Sequence, residues 1–213
     1  MQSITTGAFV CYTGTMRQVI VIHGGTTFSE YSRYLAFLAT KPLTIDRFTY
    51  SPTWKERLQD ELGSNYQVLL PAMPNKTNAR YSEWKIWFEH LTSIFADDCI
   101  LVGHSLGAIF LAKYLSENTV PVTVAATILI AAPHSSETNE DLTDFKIESL
   151  TNQLTEQAGR LVFFNGFDDP VIALSELELY QKAIPLAECN IVSAPDHFVR
   201  AEFPELTALI TAI

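Results

Sequence analysis

Short apolar runs alternate with helical patterns along nearly the whole of this 213-residue chain. The runs are mostly apolar without strict alternation, as expected of strands buried on both faces of a parallel sheet. Between them, apolar residues recur every three or four positions, as in amphipathic helices. The predicted strands span residues 18–22, 66–70, 99–102, 122–132, 161–165 and 189–192. We therefore predict an α/β fold: a doubly wound, mainly parallel sheet of about six strands with helices on both faces.

The predicted helices are read from apolar periodicity and from end signals. Residues 81–95 give the strongest pattern, an aromatic and apolar stripe of Trp84, Trp87, Phe88, Leu91 and Phe95. Such a stripe predicts packing against a sheet. Thr53 is expected to cap a helix that Gly63 ends. Residues 135–158 are polar and acidic and are expected to form a helical excursion over the sheet. The remaining predicted helices span residues 26–39, 106–115, 176–183 and 203–213.

The chain is expected to form one domain over residues 18–213, preceded by an N-terminal extension or extra edge strand at residues 1–17. The first fifteen residues have neither a basic start nor a clear cleavage site, so they make a poor signal peptide. The longest apolar runs are well short of the roughly 18 residues that span a bilayer. No membrane span is predicted.

Charge and cysteine content narrow the function classes. Acidic residues outnumber basic ones by 24 to 14, a formal net charge of −10. Nucleic acid is not expected as a partner, because phosphate binding needs clustered lysine and arginine. Three widely separated cysteines, Cys11, Cys99 and Cys189, predict neither a disulfide framework nor a zinc site. Cys99 and Cys189, in apolar strand-like runs, are expected to be inert buried thiols, and a reducing cytoplasmic location is expected.

The segment Gly103-His104-Ser105-Leu106-Gly107 matches G-x-S-x-G between a predicted strand and a predicted helix. This is the context of a nucleophile elbow, in which a sharp turn exposes a serine hydroxyl at a helix N-terminus. Ser105 is therefore the candidate nucleophile, and the amide of Leu106 is a candidate donor to a developing oxyanion. The alternative is that Ser105 only caps the helix.

A serine nucleophile needs a base, and histidine is the usual one. The chain contains His23, His90, His104, His134 and His197. His197 follows the last predicted strand, and the elbow's chain order of serine, acid and histidine selects it. His134, after the fourth strand, is the remaining rival. His90 is expected on a solvated helix surface, and the side chain of His104 is expected to point away from Ser105.

Two adjacent acids, Asp168 and Asp169, follow the fifth predicted strand and could orient the imidazole. Pro170 restricts the backbone of Asp169, which favours that residue without excluding the other. Both could instead only shape a turn. Asp196 adjoins His197 in the chain and is poorly placed to reach its ring.

The loop after the first strand reads His23-Gly24-Gly25-Thr26. Its glycines allow the backbone to approach a substrate closely. The amide of Gly25 or Thr26 is expected to be the second oxyanion donor. Gly24, Thr26 and His104 are expected to contact the substrate.

The ordered motifs HGGT, GHSLG, GFDDPVI and PDHF resemble those of the α/β-hydrolase superfamily. More narrowly, they are similar to the small serine hydrolases related to retinoblastoma-binding protein 9, over residues 18–213. The resemblance implies a compact domain with little or no cap, Asp169 as the acid and His197 as the base. It also implies hydrolysis without a metal or organic cofactor. The connection at residues 40–62 is longer than in those small enzymes, which leaves the cap size open.

These observations predict a serine hydrolase that cleaves a carboxylic ester or related acyl bond of a small molecule through an acyl-enzyme. The alternative is a binding protein that has the same fold and engages a protein partner. The complete set of nucleophile, acid and base favours the enzyme.

Overall fold

A six-stranded sheet forms the centre of the structure, a computed structural model that describes residues 16–45, 48–134 and 141–213. The strands are β1 (Arg17–Ile22), β2 (Tyr66–Leu69), β3 (Cys99–His104), β4 (Val124–Ile130), β5 (Arg160–Gly166) and β6 (Glu188–Val192). Their spatial order is β2-β1-β3-β4-β5-β6, and each neighbouring pair is parallel. The predicted α/β class and parallel sheet are confirmed. The extension predicted at residues 1–17 falls largely outside the described residues, so the domain division stays a prediction.

Helices connect the strands along the chain. They are α1 (Tyr31–Thr40), α2 (Trp54–Leu62), α3 (Tyr81–Leu91), α4 (Leu106–Glu117), α5 (Asn152–Gln157), α6 (Leu174–Ala183) and α7 (Pro204–Thr211). Short 3₁₀ turns lie at Gly63–Asn65, Thr92–Ile94 and Thr143–Phe145. None of the helices in the described part of the chain combines the length and apolar character needed to cross a bilayer.

Apolar layers cover both faces of the sheet. Alternate residues of β1 enter opposite layers: Ile20 and Ile22 join α3, α4 and α6, whereas Val19 and Val21 join α2 and α7. Every residue of β3 is buried. The strands therefore need apolar side chains on both faces, which is why their sequences read as continuous apolar runs.

The stripe predicted on α3 packs as expected through Trp84 and Phe88, which are fully buried. Trp87 differs, with 39% of its surface exposed and its ring beside that of His90. At about 100° per residue, Trp87 is offset by roughly 60° from Trp84. It therefore lies at the margin of the buried face, and its inclusion in the core was wrong. The helix also ends at Leu91, before Phe95.

Two predicted helices are shorter than the periodicity suggested. α1 begins at Tyr31, because the backbone of Thr26 is instead hydrogen-bonded to Lys76 and Ala79. The excursion predicted at residues 135–158 contains only a 3₁₀ turn and α5 in its described part; residues 135–140 lie outside the described residues. By contrast, the Thr53 cap is confirmed: its side chain accepts from the amide of Lys55, and Glu56 completes a capping box.

The described cysteines are both free thiols. Cys99 is buried in β3, and burial raises the pKa of its thiol to about 11. Cys189 in β6 is half-buried, which also raises its pKa. A raised pKa leaves little thiolate at neutral pH, so neither thiol suits nucleophilic chemistry. Cys11 lies outside the described residues.

Candidate active site

Ser105 occupies the turn between the end of β3 and the start of α4. Its backbone lies in the left-handed region, with φ 54° and ψ −120°. The amide of Ser105 donates to the carbonyl of Ile130 at 2.8 Å, which ties the turn to the end of β4. Such a conformation costs a non-glycine residue about 1–3 kcal/mol and persists only where the surroundings enforce it.

The two glycines of the motif are required by close backbone packing. A Cβ at Gly107 would lie 2.2 Å from the carbonyl oxygen of Ile22, and one at Gly103 would lie 2.6 Å from the Cα of Ala108. Both contacts are far inside van der Waals distance. The two glycines of the G-x-S-x-G pattern are therefore needed because α4 approaches β1 and its own turn from β3 too closely for a side chain.

We expect Gly107→Ala to destabilise the protein by on the order of 1–3 kcal/mol, because the Ile22 carbonyl is backbone and cannot move aside without shifting β1. Urea unfolding followed by circular dichroism measures the change. Gly107 lies within α4, and in a helix free of such a contact the change from glycine to alanine stabilises by about 1 kcal/mol. Unchanged or increased stability of the variant would therefore contradict a packing requirement at Gly107.

His197 lies in the loop after β6 and bridges Ser105 to an acid. Its Nε2 is 3.0 Å from the Oγ of Ser105, and its Nδ1 is 2.9 Å from Oδ2 of Asp169. Since a carboxylate can only accept, Nδ1 carries the proton donated to Asp169, and Nε2 is free to accept from the serine hydroxyl. The structure thus aligns one hydroxyl, one imidazole and one carboxylate.

Asp169 and Asp168 have different partners. The side chain of Asp169 is fully buried, and its Oδ1 also accepts from the amides of Val171 at 2.8 Å and Ile172 at 3.1 Å. Asp168 is exposed; its carboxylate accepts from the Oγ of Ser193 at 2.7 Å and from the amide of Ala194, and these bonds lower its pKa. The structure therefore brings Asp169 to His197 and uses Asp168 to tie the β5 turn to the segment that leads to His197.

Asp196 does not face the imidazole. Its carboxylate pairs with Arg200 at 2.6 Å, within the same loop. The expectation that Asp196 cannot serve His197 agrees with this arrangement.

The placement of His104 does not fit the substrate contact expected for it. Its side chain is buried, and its Nε2 donates to the carbonyl of His197 at 2.9 Å. Burial also holds the pKa of His104 well below the usual value, so the ring is neutral. His104 therefore supports the loop that carries His197, and the centres of the two imidazole rings lie 5.1 Å apart.

The loop after β1 packs directly on the elbow. A Cβ at Gly24 would lie 3.2 Å from the Cβ of Ser105, and one at Gly25 would lie 3.0 Å from the Leu106 side chain. The amide of Thr26 already donates to the carbonyl of Lys76 at 2.8 Å. Of the two oxyanion donors considered, the amide of Gly25 is therefore the one left for a substrate.

The other histidines have different surroundings. The ring of His134 packs edge-on against Tyr180, and its amide donates to Glu176 at 2.6 Å. His90 is exposed on α3, as predicted. His23 donates from Nδ1 to the carbonyl of Gly24 at 2.6 Å and accepts at Nε2 from the amide of Met73 at 2.9 Å. The histidine that contacts the hydroxyl of Ser105 is therefore His197, and the alternative, His134, lies elsewhere.

Sequence reasoning missed one support of the site. Trp54, the first residue of α2, is fully buried and donates its Nε1 hydrogen to the carbonyl of Phe198 at 2.9 Å. Its ring also lies edge-on to His104. Trp54 and His104 together hold two consecutive carbonyls, those of Phe198 and His197. Nothing in the sequence distinguishes this tryptophan from an ordinary core residue.

Within the part of the chain that the structure describes, no group of three or more histidine, cysteine, aspartate or glutamate side chains is placed to hold a metal ion. The chemistry available at the site is that of a hydroxyl, an imidazole, a carboxylate and backbone amides.

Solved structures with the same fold come from several sources. The chain superposes on the ydeN gene product of B. subtilis with a TM-score of 0.72 at 19% identity, covering 92% of this chain and 98% of that one. For an esterase domain from Rhodothermus marinus the values are 0.57 and 16%, covering 94% and 84%. For a thioesterase domain from the curacin biosynthetic pathway they are 0.56 and 12%, covering 93% and 92%. At these identities the likeness concerns the fold alone.

A comparison with curated protein sequences gives no match. The model of the serine hydrolase family, however, matches residues 49–204, well over half of the chain. The matched range includes the elbow, both candidate acids and His197. The narrower resemblance to the group of retinoblastoma-binding protein 9 agrees with this match and stays a prediction. The chain has the α/β-hydrolase fold and belongs to the serine hydrolase family.

Proposed function

We propose that this protein hydrolyses carboxylic esters or related acyl bonds of small molecules through an acyl-enzyme on Ser105. The observation that carries the proposal is the continuous contact from Ser105 through His197 to the buried Asp169, at 3.0 Å and 2.9 Å. Two of the solved structures with a similar fold are named as an esterase domain and a thioesterase domain. Esters and thioesters are both acyl compounds, which supports an acyl bond as the target.

The first half-reaction forms the acyl-enzyme. His197 removes the proton from the Ser105 hydroxyl through Nε2 as the oxygen attacks the acyl carbon. The negative charge that develops on the carbonyl oxygen is stabilised by the amides of Leu106 and Gly25. His197 then gives its proton to the departing alcohol oxygen as the acyl–oxygen bond breaks.

The second half-reaction releases the acid. His197 removes a proton from water, which attacks the acyl carbon, and the proton returns to Ser105 as the ester bond to the enzyme breaks. Asp169 keeps the Nδ1 proton in place and stabilises the imidazolium in both steps. Each step uses only groups of the chain, the substrate and water.

A binding protein on the same fold would not need a serine in a strained turn aligned with an imidazole. The deciding experiment is turnover of 4-nitrophenyl acetate and butyrate, a matched thioester and a matched anilide by the purified chain. Ester cleavage that depends on Ser105 supports the proposal. An intact, folded protein that turns over none of these substrates and takes up no fluorophosphonate would favour the binding protein.

A further inference from the structure

A cavity of about 420 Å³ lies at the ends of β1 and β2, beside the loop that follows β1. Residues 70–73 form much of its apolar wall. Its polar lining comes from His23, Lys55, Glu56, Asn75 and Lys76. The mechanism above uses none of these side chains.

The cavity adjoins the proposed oxyanion hole. His23 lines it, and the next residue, Gly24, packs on Ser105. On the other side, a Cβ at Gly25 would lie 2.7 Å from the carbonyl of Lys76 and 3.0 Å from the side chain of Leu106. A group bound in the cavity would therefore be separated by about one residue of this loop from a substrate carbonyl at Ser105.

Two lysines, Lys55 and Lys76, line this cavity in a protein whose net charge is −10. Within the described ranges, the ion pairs formed by lysine and arginine involve other cations: Arg33, Lys85, Lys113, Arg160 and Arg200. Lys55 lies instead over the ring of Trp54, with Nζ 4.5 Å from its centre. Lys76 is exposed.

Glu56, the acidic residue of the cavity lining, already forms hydrogen bonds with Thr53. The carboxylate of Glu56 accepts from the amide and the hydroxyl of Thr53, at 2.8 Å and 2.7 Å, as part of the α2 cap. His23 adds no positive charge: its Nε2 accepts a hydrogen bond, and burial lowers its pKa. The cavity thus presents two lysines whose charge is only partly balanced.

Burial lowers the pKa of Lys55 to about 8, more than its neighbour Glu56 raises it. At pH 7 the ammonium form still outnumbers the neutral amine by about tenfold. An anion in the cavity would offset this loss of hydration, because an ammonium taken out of water is stabilised by a close opposite charge.

We propose that this cavity binds a carboxylate of the substrate, held by Lys55 and Lys76. The inference rests on the proposed hydrolase function and specifies its substrate class. The apolar wall suits a short carbon segment between that carboxylate and the scissile carbonyl. The carboxylate belongs either to the acyl chain, as in a monoester of a dicarboxylic acid, or to the alcohol.

Matched ester pairs test the proposal and separate the two sources. The acyl pair is mono-4-nitrophenyl adipate and 4-nitrophenyl hexanoate; the alcohol pair is 4-acetoxybenzoate and 4-acetoxybenzamide. Lys55→Met and Lys76→Met keep long apolar stems and remove the charge. Lys182→Met, an exposed residue at the end of α6, makes the same change in net charge elsewhere.

We expect Lys55→Met to lower kcat/KM by about 10- to 100-fold on the carboxylate member of one pair, as for loss of a charge-assisted hydrogen bond. The neutral member should change by less than about twofold. Lys76→Met should act on the same substrate, more weakly, and Lys182→Met should leave both members unchanged. The affected pair identifies the source of the carboxylate. Equal effects on charged and neutral esters, or none, would overturn the subsite and leave the hydrolase function intact.

A binding measurement that needs no turnover completes the test. Calorimetric titration of the Ser105→Ala protein with monomethyl adipate and with 4-hydroxybenzoate should show binding of one of them, weakened at least about tenfold by Lys55→Met. Such binding, found together with no ester cleavage by the unsubstituted protein, would support the subsite and refute the proposed function. Absence of binding for both compounds would refute the subsite.

Discussion

Ser105→Ala is expected to abolish fluorophosphonate labelling and to remove nearly all of the ester turnover. Alanine has no oxygen to attack the acyl carbon, and the free thiols in the described part of the chain are too basic to replace it. In well-studied triads, loss of the serine lowers kcat on the order of 10⁶-fold. Labelling of the purified protein, read by intact-mass spectrometry, and turnover of 4-nitrophenyl butyrate measure the effect.

The fold should survive this change. Alanine at φ 54° is no more strained than serine, and the amide of residue 105 keeps its bond to Ile130. Circular dichroism and Tm check this point. Ser116→Ala is the control, because Ser116 lies in α4, the helix that Ser105 precedes, and its hydroxyl donates to the carbonyl of Ala112. Labelling that persists in Ser105→Ala, or disappears in Ser116→Ala, would remove Ser105 from the role of nucleophile.

Asp169→Asn is expected to lower kcat by up to about ten-thousand-fold, as for the equivalent change in well-studied triads. The amide nitrogen of asparagine would donate toward Nδ1 of His197, which favours the tautomer with its proton on Nε2. That tautomer cannot accept the proton of Ser105. The amide oxygen can still accept from Val171 and Ile172, so the turn itself should hold. Turnover of an activated ester at saturating concentration is the measurement.

Asp168→Asn is the matched control for this change. Its side-chain oxygen can still accept from Ser193 or Ala194, so the segment before His197 should stay attached to the β5 turn. We expect a loss in kcat within about tenfold. The reverse order of effects would transfer the role to Asp168. Two small effects would mean that another group orients His197.

Local sequence was sufficient to predict the fold class and to single out the candidate nucleophile. Apolar runs buried on both faces, separated by helical periodicity, specify a parallel α/β sheet because few other architectures bury such strands. The elbow is encoded within a few residues, since Gly103 and Gly107 are required by contacts of the turn with its own strand and helix and with β1. The candidate base could also be named, because the carboxyl ends of parallel strands meet at one edge.

Tertiary structure was needed wherever neighbours in the chain compete for one position. Asp168 and Asp169 are adjacent in a turn, and only the path of the loop after β6 decides which of them faces His197. The amides of Gly25 and Thr26 are likewise equivalent in sequence until the carbonyl of Lys76 engages the second.

The residues far apart in sequence depended most on the tertiary structure. Trp54 and His104 hold the His197 segment through its carbonyls, a role that leaves no mark on their own local patterns. Lys55 and Lys76 meet at one cavity only because α2 and the segment after β2 pack beside β1. Sequence alone determined the sheet, the serine and the set of candidate partners, because these follow from short-range periodicity and steric demands. Packing between distant segments decided which residues contact Ser105 and His197, and it brought Lys55 and Lys76 to one cavity. No local pattern relates these residues, because the contacts join segments that are far apart in the chain.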